Sequence, residues 1–179
     1  AECGAIWRRS LPYALLLGGL GIVVCLFGEW FFGVTGQPVA ISEGGGRVIS
    51  ILGLGMPGTL LYCTTSFLLE GLRRPLPAMY VMIAANLLNV LLDWLLIFGH
   101  GGFPALGAEG AAWTTSLVRL SMAAALMAYV WWMPDRQRYA IRGRFDMHWW
   151  RRSARQRRYG YATGTSYIIE ESAFASLSF

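Results

Sequence analysis

Four long, predominantly apolar runs, Leu11 to Phe32, Val48 to Leu69, Pro77 to Phe98 and Ala111 to Trp132, restrict this chain to very few folds. Each is about 22 residues long, enough at helical rise to cross the hydrocarbon core of a bilayer. In hydrocarbon no water satisfies backbone N–H and C=O groups, so a run of this kind must close its hydrogen bonds within itself as an α-helix. The runs are continuous rather than spaced at amphipathic intervals, only 14% of the residues are charged, and the mean hydropathy is +0.45. The expected class is an all-α integral membrane protein. A fifth run, Tyr161 to Phe179, is expected to begin a further helix, beyond a basic linker over 133–160.

The chain opens without Met or a secretory leader and ends on an apolar phenylalanine, so it is expected to be an internal piece of a longer membrane protein. Cys3, Cys25 and Cys63 have no metal-ligand spacing, and the latter two fall inside spans, where a thiol behaves as a small hydrophobe. Neither His100 nor His148 has a second ligand at helical spacing, so no transition metal and no cofactor is expected.

Orientation follows from the arginines, which supply all 15 basic residues. Arg8 and Arg9 precede the first span, Arg73 and Arg74 separate the second and third, and nine more lie between Asp135 and Tyr159. The intervening loops carry only Arg47. This alternation places the arginine-rich segments in the cytoplasm. The net charge of +5 is then a topology signal. The Arg- and Trp-containing linker suits a membrane surface, and nucleic acid is not an expected partner.

The stretch "NLLNVLLDWLLIFG" sets Asn86, Asn89 and Asp93 at i, i+3 and i+7, a polar stripe on one face of an oily helix. Asp93 comes six residues before Gly99, about 9 Å below the outer surface. On the next helix, which a short loop makes an antiparallel neighbour, Thr115 counts inward from Glu109 to the same depth, flanked by Thr114 and Ser116. A pocket of Asn89, Asp93 and Thr115 in the outer half of the membrane is expected. A carboxyl group there must be protonated, hydrogen-bonded, ion-bound or paired, which marks Asp93 as part of an ion or substrate pathway. Asn86 is read as helix-to-helix glue. Thr64, Thr65 and Ser66 are read as bonding to their own helix beside a kink at Pro57. Arg119, one turn inward from Thr115, is a candidate counter-ion for Asp93 or for Glu170. Glu170 counts to about 15 Å from Gly160, near the bilayer midplane.

Taken in order, "GMPG", "SFLLEGLRRPLPAMYV", "NLLNVLLDWLLIFG", "GGFPALGAEGAAWTTS" and "RYGYATGTSYIIEESAF" resemble the multidrug and toxic compound extrusion (MATE) transporters. The resemblance implies the third to sixth helices of a twelve-helix, two-lobe chain and the front of the seventh, with the basic linker joining the lobes. It implies alternating access in a multi-pass protein of the bacterial inner membrane, monomeric at full length, in contact with lipid. Such a protein exports amphiphilic or cationic compounds against a proton or sodium gradient and is not an enzyme. Asn89, Asp93 and Thr115 match the polar residues of the family's fifth and sixth helices, a set that could hold sodium, and Glu170 matches the glutamate of its seventh. The chain departs from the pattern at Ala162, where a proline is usual, at Glu171, an apolar position, and at Ser66, often an arginine.

Two other readings stand beside transport of drugs. A lipid-linked oligosaccharide flippase of the same superfamily is expected to line its cavity with several cations, and the spans offer Arg119 alone. A structural membrane protein makes no use of a titratable Asp93. An enzyme needs a catalytic constellation near the interface, and none is visible. Topology is directly testable: a cysteine placed at Ser153 of the full-length protein is expected to stay protected from an impermeant reagent in intact cells. Ready labelling from outside inverts the orientation.

Overall fold

The computed structural model describes residues 2–36, 38–102 and 104–142, together with the helical positions 154, 157, 158, 160, 161, 164, 165 and 169. The chain divides into two compact units, Ala1–Gly143 and Arg144–Phe179. In the second, Thr165 donates to the carbonyl of Tyr161 at 2.8 Å, the one-turn bond of a helix. Most of the linker and of the expected fifth span, with Glu170 and Glu171, lies outside the described residues.

The first unit is all helix among its described residues: α1 (Glu2–Leu26), α2 (Gly28–Val34), α3 (Val39–Leu54), α4 (Met56–Gly71), α5 (Leu76–Leu96), α6 (Ala108–Trp132) and a 3-10 turn at Pro134–Arg136. Four stretches are long and apolar enough to cross a membrane: Cys3–Leu26, Val39–Gly71, Leu76–Leu96 and Ala108–Trp132. The first begins before the apolar run does, because Arg8 and Arg9 are taken into the helix, and it carries Pro12 in its interior. The second joins α3 to α4 across the kink expected at Pro57. The ladder breaks at Gly55, and Pro57 sits in the first turn of α4, where its missing N–H leaves no helix carbonyl short of a donor.

These helices bury little of themselves in one another. Only 6% of the most apolar part of α5 is buried, and Leu87, Val90 and Leu91 stand exposed on it, as a rod solvated by lipid chains should be. Lipid gives no hydrophobic drive for helix association, so the crossings rely on close backbone approach. A Cβ on Gly58 would stand 2.9 Å from the backbone carbonyl of Arg119, where α4 meets α6. One on Gly110 would stand 2.6 Å from the carbonyl oxygen of Leu96, where α6 meets the end of α5. Hydrogen bonds reinforce the crossings: Ser116 donates to the carbonyl of Ile51 at 2.7 Å, and Trp7 donates from Nε1 to Thr65 at 3.2 Å. Thr64 and Thr65 also bond back to Leu60 and Leu61 within α4. Ser66 instead reaches the Glu70 carboxylate at 3.1 Å.

The arginine-rich segments gather at one end. Trp7, Leu69, Leu126, Val130, Met133 and Ile141 form the main buried cluster there. The Gly4 amide donates to the Tyr139 carbonyl at 3.1 Å, Arg8 donates to the carbonyls of Ala140 and Ile141, and Arg74 pairs with Asp135 at 2.6 Å. Arg47 of α3 and Glu109 of α6 pair at 3.4 Å at the opposite end of the bundle. Gly58→Ala is expected to destabilise the full-length protein by about 1–3 kcal/mol through overpacking. Gly33→Ala, with nothing within 4 Å of the new methyl, is expected to be neutral or stabilising by about 0.5–1 kcal/mol. Thermal unfolding in detergent measures both.

Candidate functional site between the fifth and sixth helices

The polar stripe of α5 is not uniform. Asn86 is exposed and donates from Nδ2 to the carbonyl of Met82 at 2.9 Å, so its amide is spent on its own helix. Asn89 and Asp93 are half-buried. The Asp93 backbone carbonyl accepts from Ile97 at 2.9 Å, inside the last turn. Its side chain differs: Oδ1 is buried and has no hydrogen-bond partner.

The close crossing at Gly110 sets which sides of the two helices face. Asp93 precedes Leu96 by three residues, and at 3.6 residues per turn it lies about 60° round α5 from Leu96 and about 4.5 Å inward. Asn89 falls about 20° from Leu96 by the same count, and the buried Ala78 and Ala85 share that side. The stripe therefore runs down the α6-facing side of α5.

Three hydroxyls in a row on α6 go to three different places. Thr115, half-buried, donates to the carbonyl of Ala111 at 2.9 Å within its own helix. Ser116 is bonded across to α3. Thr114 is wholly buried, and its Oγ1 has no hydrogen-bond partner. Depth counted from the sequence brings Asp93 and Thr115 to one level, with Asn89 one turn further in. Helix phase adds that Thr114, about 40° from Gly110, is turned further toward α5 than Thr115 at about 140°. The signal that could have found Thr114 is its place four residues after Gly110.

Arg119 lies about 180° from Gly110, on the side of α6 away from α5. Its Cδ packs where a Gly55 Cβ would come within 3.0 Å, at the break between α3 and α4. Asp93 and Arg119 form no ion pair, so the pairing that sequence depth allows is not made. Along the helix axis the two side chains are within reach of one another, and the direction of the Arg119 stem around α6 separates them. His100, in the loop after α5, stacks on Trp94 with ring centroids 4.4 Å apart and donates to the Trp94 carbonyl at 3.1 Å.

Chemically, this is a single carboxyl group with an amide and hydroxyls near it. No group of three or more His, Cys, Asp or Glu side chains able to hold a metal ion occurs among the described residues. One carboxylate supplemented by neutral oxygens suits a monovalent cation or a proton rather than a divalent metal. An open groove of about 370 Å³ lies elsewhere, between α1 and α4 against Trp7, Thr64 and Phe67.

The family model MatE matches residues 3–95. Over 99% of its length the chain is 37% identical to a probable multidrug resistance protein NorM of Caulobacter vibrioides, covering 38% of that protein. It is 29% identical over 94% of its length to a probable NorM of Pseudomonas putida, covering 35% of it. It is 30% identical over 71% of its length to the multidrug resistance protein PmpM of Pseudomonas aeruginosa, covering 27% of it. The chain thus spans well under half the length of these relatives. No solved structure matches it. The membrane-length helices, the α5 stripe facing α6 and the near full-length match to the Caulobacter protein agree in placing this chain in the multidrug and toxic compound extrusion family.

Proposed function

We propose that the full-length protein is a multidrug efflux transporter that exports amphiphilic or cationic compounds by antiport with a proton or sodium ion, and that Asp93 carries the cation. The relatives named for multidrug resistance support the transport class. The observation that carries the assignment of Asp93 is its buried, unpartnered Oδ1 in a helix that holds no other charged side chain. A carboxylate within a membrane helix costs free energy, less near the end of the helix than at its centre, and a buried oxygen without a donor adds to it. A cation arriving from the aqueous side supplies the missing partner. With Arg119 held at Gly55, the carboxylate is not shared with a guanidinium and is open to either cation. Asn89 and a threonine hydroxyl of α6 complete the oxygen set, and Glu170 serves the central cavity.

The flippase reading needs several cationic side chains lining a cavity. Arg119 is the one arginine deep within the described spans, Arg8, Arg9 and Arg47 lying nearer their ends, and it is packed against a helix break, which favours drug export over that alternative.

Asp93→Asn keeps shape and hydrogen-bonding capacity but cannot titrate or carry charge. The variant is expected to insert and fold like the parent, and its dye export in proteoliposomes is expected to fall at least about tenfold, as loss of a charge-assisted interaction predicts. Export at the parent rate reduces Asp93 to a structural role. Glu170→Gln is expected to impair export as well. Supplying a pH gradient without sodium, then a sodium gradient alone, identifies the coupling ion.

A further inference from the structure

A cleft of about 640 Å³ opens at the arginine-rich end of the bundle, between the α4–α5 turn and the last turns of α6. Leu76, Pro77 and Val81 make its wall apolar, and its polar side chains are Arg73, Arg74, Tyr80 and Tyr129. No acidic side chain is among the described residues that line it. Tyr80 comes four residues after Leu76, the start of α5, and Tyr129 three before Trp132, the end of α6. Both therefore lie about 4.5–6 Å inside the helix ends, the level at which aromatic side chains meet lipid headgroups. Leu76, Tyr80 and Tyr129 are exposed, as are Trp131 and Trp132 at the end of α6.

Arg73 holds its place against strain. The Arg73 amide donates to the Glu70 carbonyl at 2.9 Å and the Arg74 amide to the Leu69 carbonyl at 2.8 Å, the two bonds of a Schellman turn at the end of α4. Such a turn needs a left-handed residue at Arg73, where φ is +57°. Glycine takes that conformation freely, and a residue with a Cβ takes it only against steric strain. What arginine adds over glycine is a cation beside the cleft. Arg74 is bound to Asp135 at 2.6 Å, and Glu70 accepts from Ser66 at 3.1 Å. Arg73 has no side-chain bond or ion pair with a described residue, and neither has the phenol of Tyr80 or of Tyr129.

We propose that this cleft binds one phospholipid with an anionic headgroup, drawn from the leaflet at the arginine-rich end. The lipid phosphate accepts from the Arg73 guanidinium and from a tyrosine phenol, while the glycerol and the upper part of an acyl chain lie along Leu76, Pro77 and Val81. Charge selects among lipids. A zwitterionic head brings an ammonium group, and Glu70 and Asp135, the acids adjoining the turn, are already engaged by Ser66 and Arg74, so that cation has no carboxylate to meet. A phosphate free in solution would gain the guanidinium but leave the apolar wall uncovered, which favours a lipid over a soluble anion. The bound lipid joins the α4–α5 turn to α6, and its role is independent of the cation site at Asp93.

Native mass spectrometry of delipidated full-length protein in detergent, titrated with phosphatidylglycerol or with phosphatidylcholine of the same chains, provides the test. The parent is expected to bind its first phosphatidylglycerol at least about tenfold more tightly than phosphatidylcholine, the margin typical of a hydrogen bond to a charged group. Arg73→Gly removes the cation and relaxes the turn, so it is expected to melt no lower than the parent while losing most of that preference. Arg73→Lys keeps the charge and is expected to stay within about threefold of the parent. Arg138→Gln removes an exposed arginine outside the cleft and is also expected to stay within about threefold. A parental preference in Arg73→Gly overturns the proposal, whether the lipid binds elsewhere or helices outside this chain cover the cleft. So does an Arg138→Gln that loses as much, which makes the effect one of net charge alone. Glycerol phosphate that displaces the lipid at equal concentration marks a site for soluble anions and overturns it too. Should Arg73→Gly fail to fold, Arg73→Asn, which also tolerates the left-handed turn, is read by the same measurements with the same outcomes. None of these readouts uses export, so this site and the role of Asp93 are tested separately.

Discussion

Everything in this bundle follows from the absence of water around its helices. A backbone in hydrocarbon satisfies its own hydrogen bonds, and side chains with polar atoms find partners inside the protein or leave those atoms unsatisfied. Hence Thr64, Thr65 and Thr115 bond back to their own helices, while Ser116 and Trp7 bond across to others. Against that economy the two oxygens at Asp93 and Thr114 stand out.

Glycine performs the complementary task. Lipid offers no hydrophobic reward for bringing two apolar rods together, so contact must come from backbone surfaces close enough for dispersion to count. Gly58 against Arg119 and Gly110 against Leu96 provide this on two sides of α6. The second crossing also fixes the register of α5 on α6, which makes a packing contact the reference point for the polar site one turn below it.

Much of this was legible in the sequence. Span length, the all-helical class and the alternation of arginine-rich with arginine-poor loops are properties of composition along the chain. The gathering of Arg8, Arg74 and the residues after α6 at one end agrees with them. Depth along a helix needs only counting at helical rise, and it sets one turn of α6 level with Asp93. Direction around the helix was harder to read. Thr114 and Thr115 differ by about 100° of rotation, and only the close crossing at Gly110 says which of them faces α5. The same applies to Arg119, whose long stem made two partners reachable along the axis but which packs at Gly55. The extension of α1 back through Arg8 and Arg9 was also hidden, because polar residues at a membrane surface can belong to a helix or to a loop.

The fastening at the arginine-rich end decides where the helix bundle stops. Residues after α6 are tied to the start of α1 by the Gly4 amide and the Arg8 guanidinium, and to the α4–α5 turn through Arg74 and Asp135, with Ile141 fully buried beneath. The segment up to Ile141 is therefore mechanically part of the helix bundle rather than free tether. Pulling on the residues that follow α6 thus loads three helix ends at once, instead of peeling away the last turn of α6 alone.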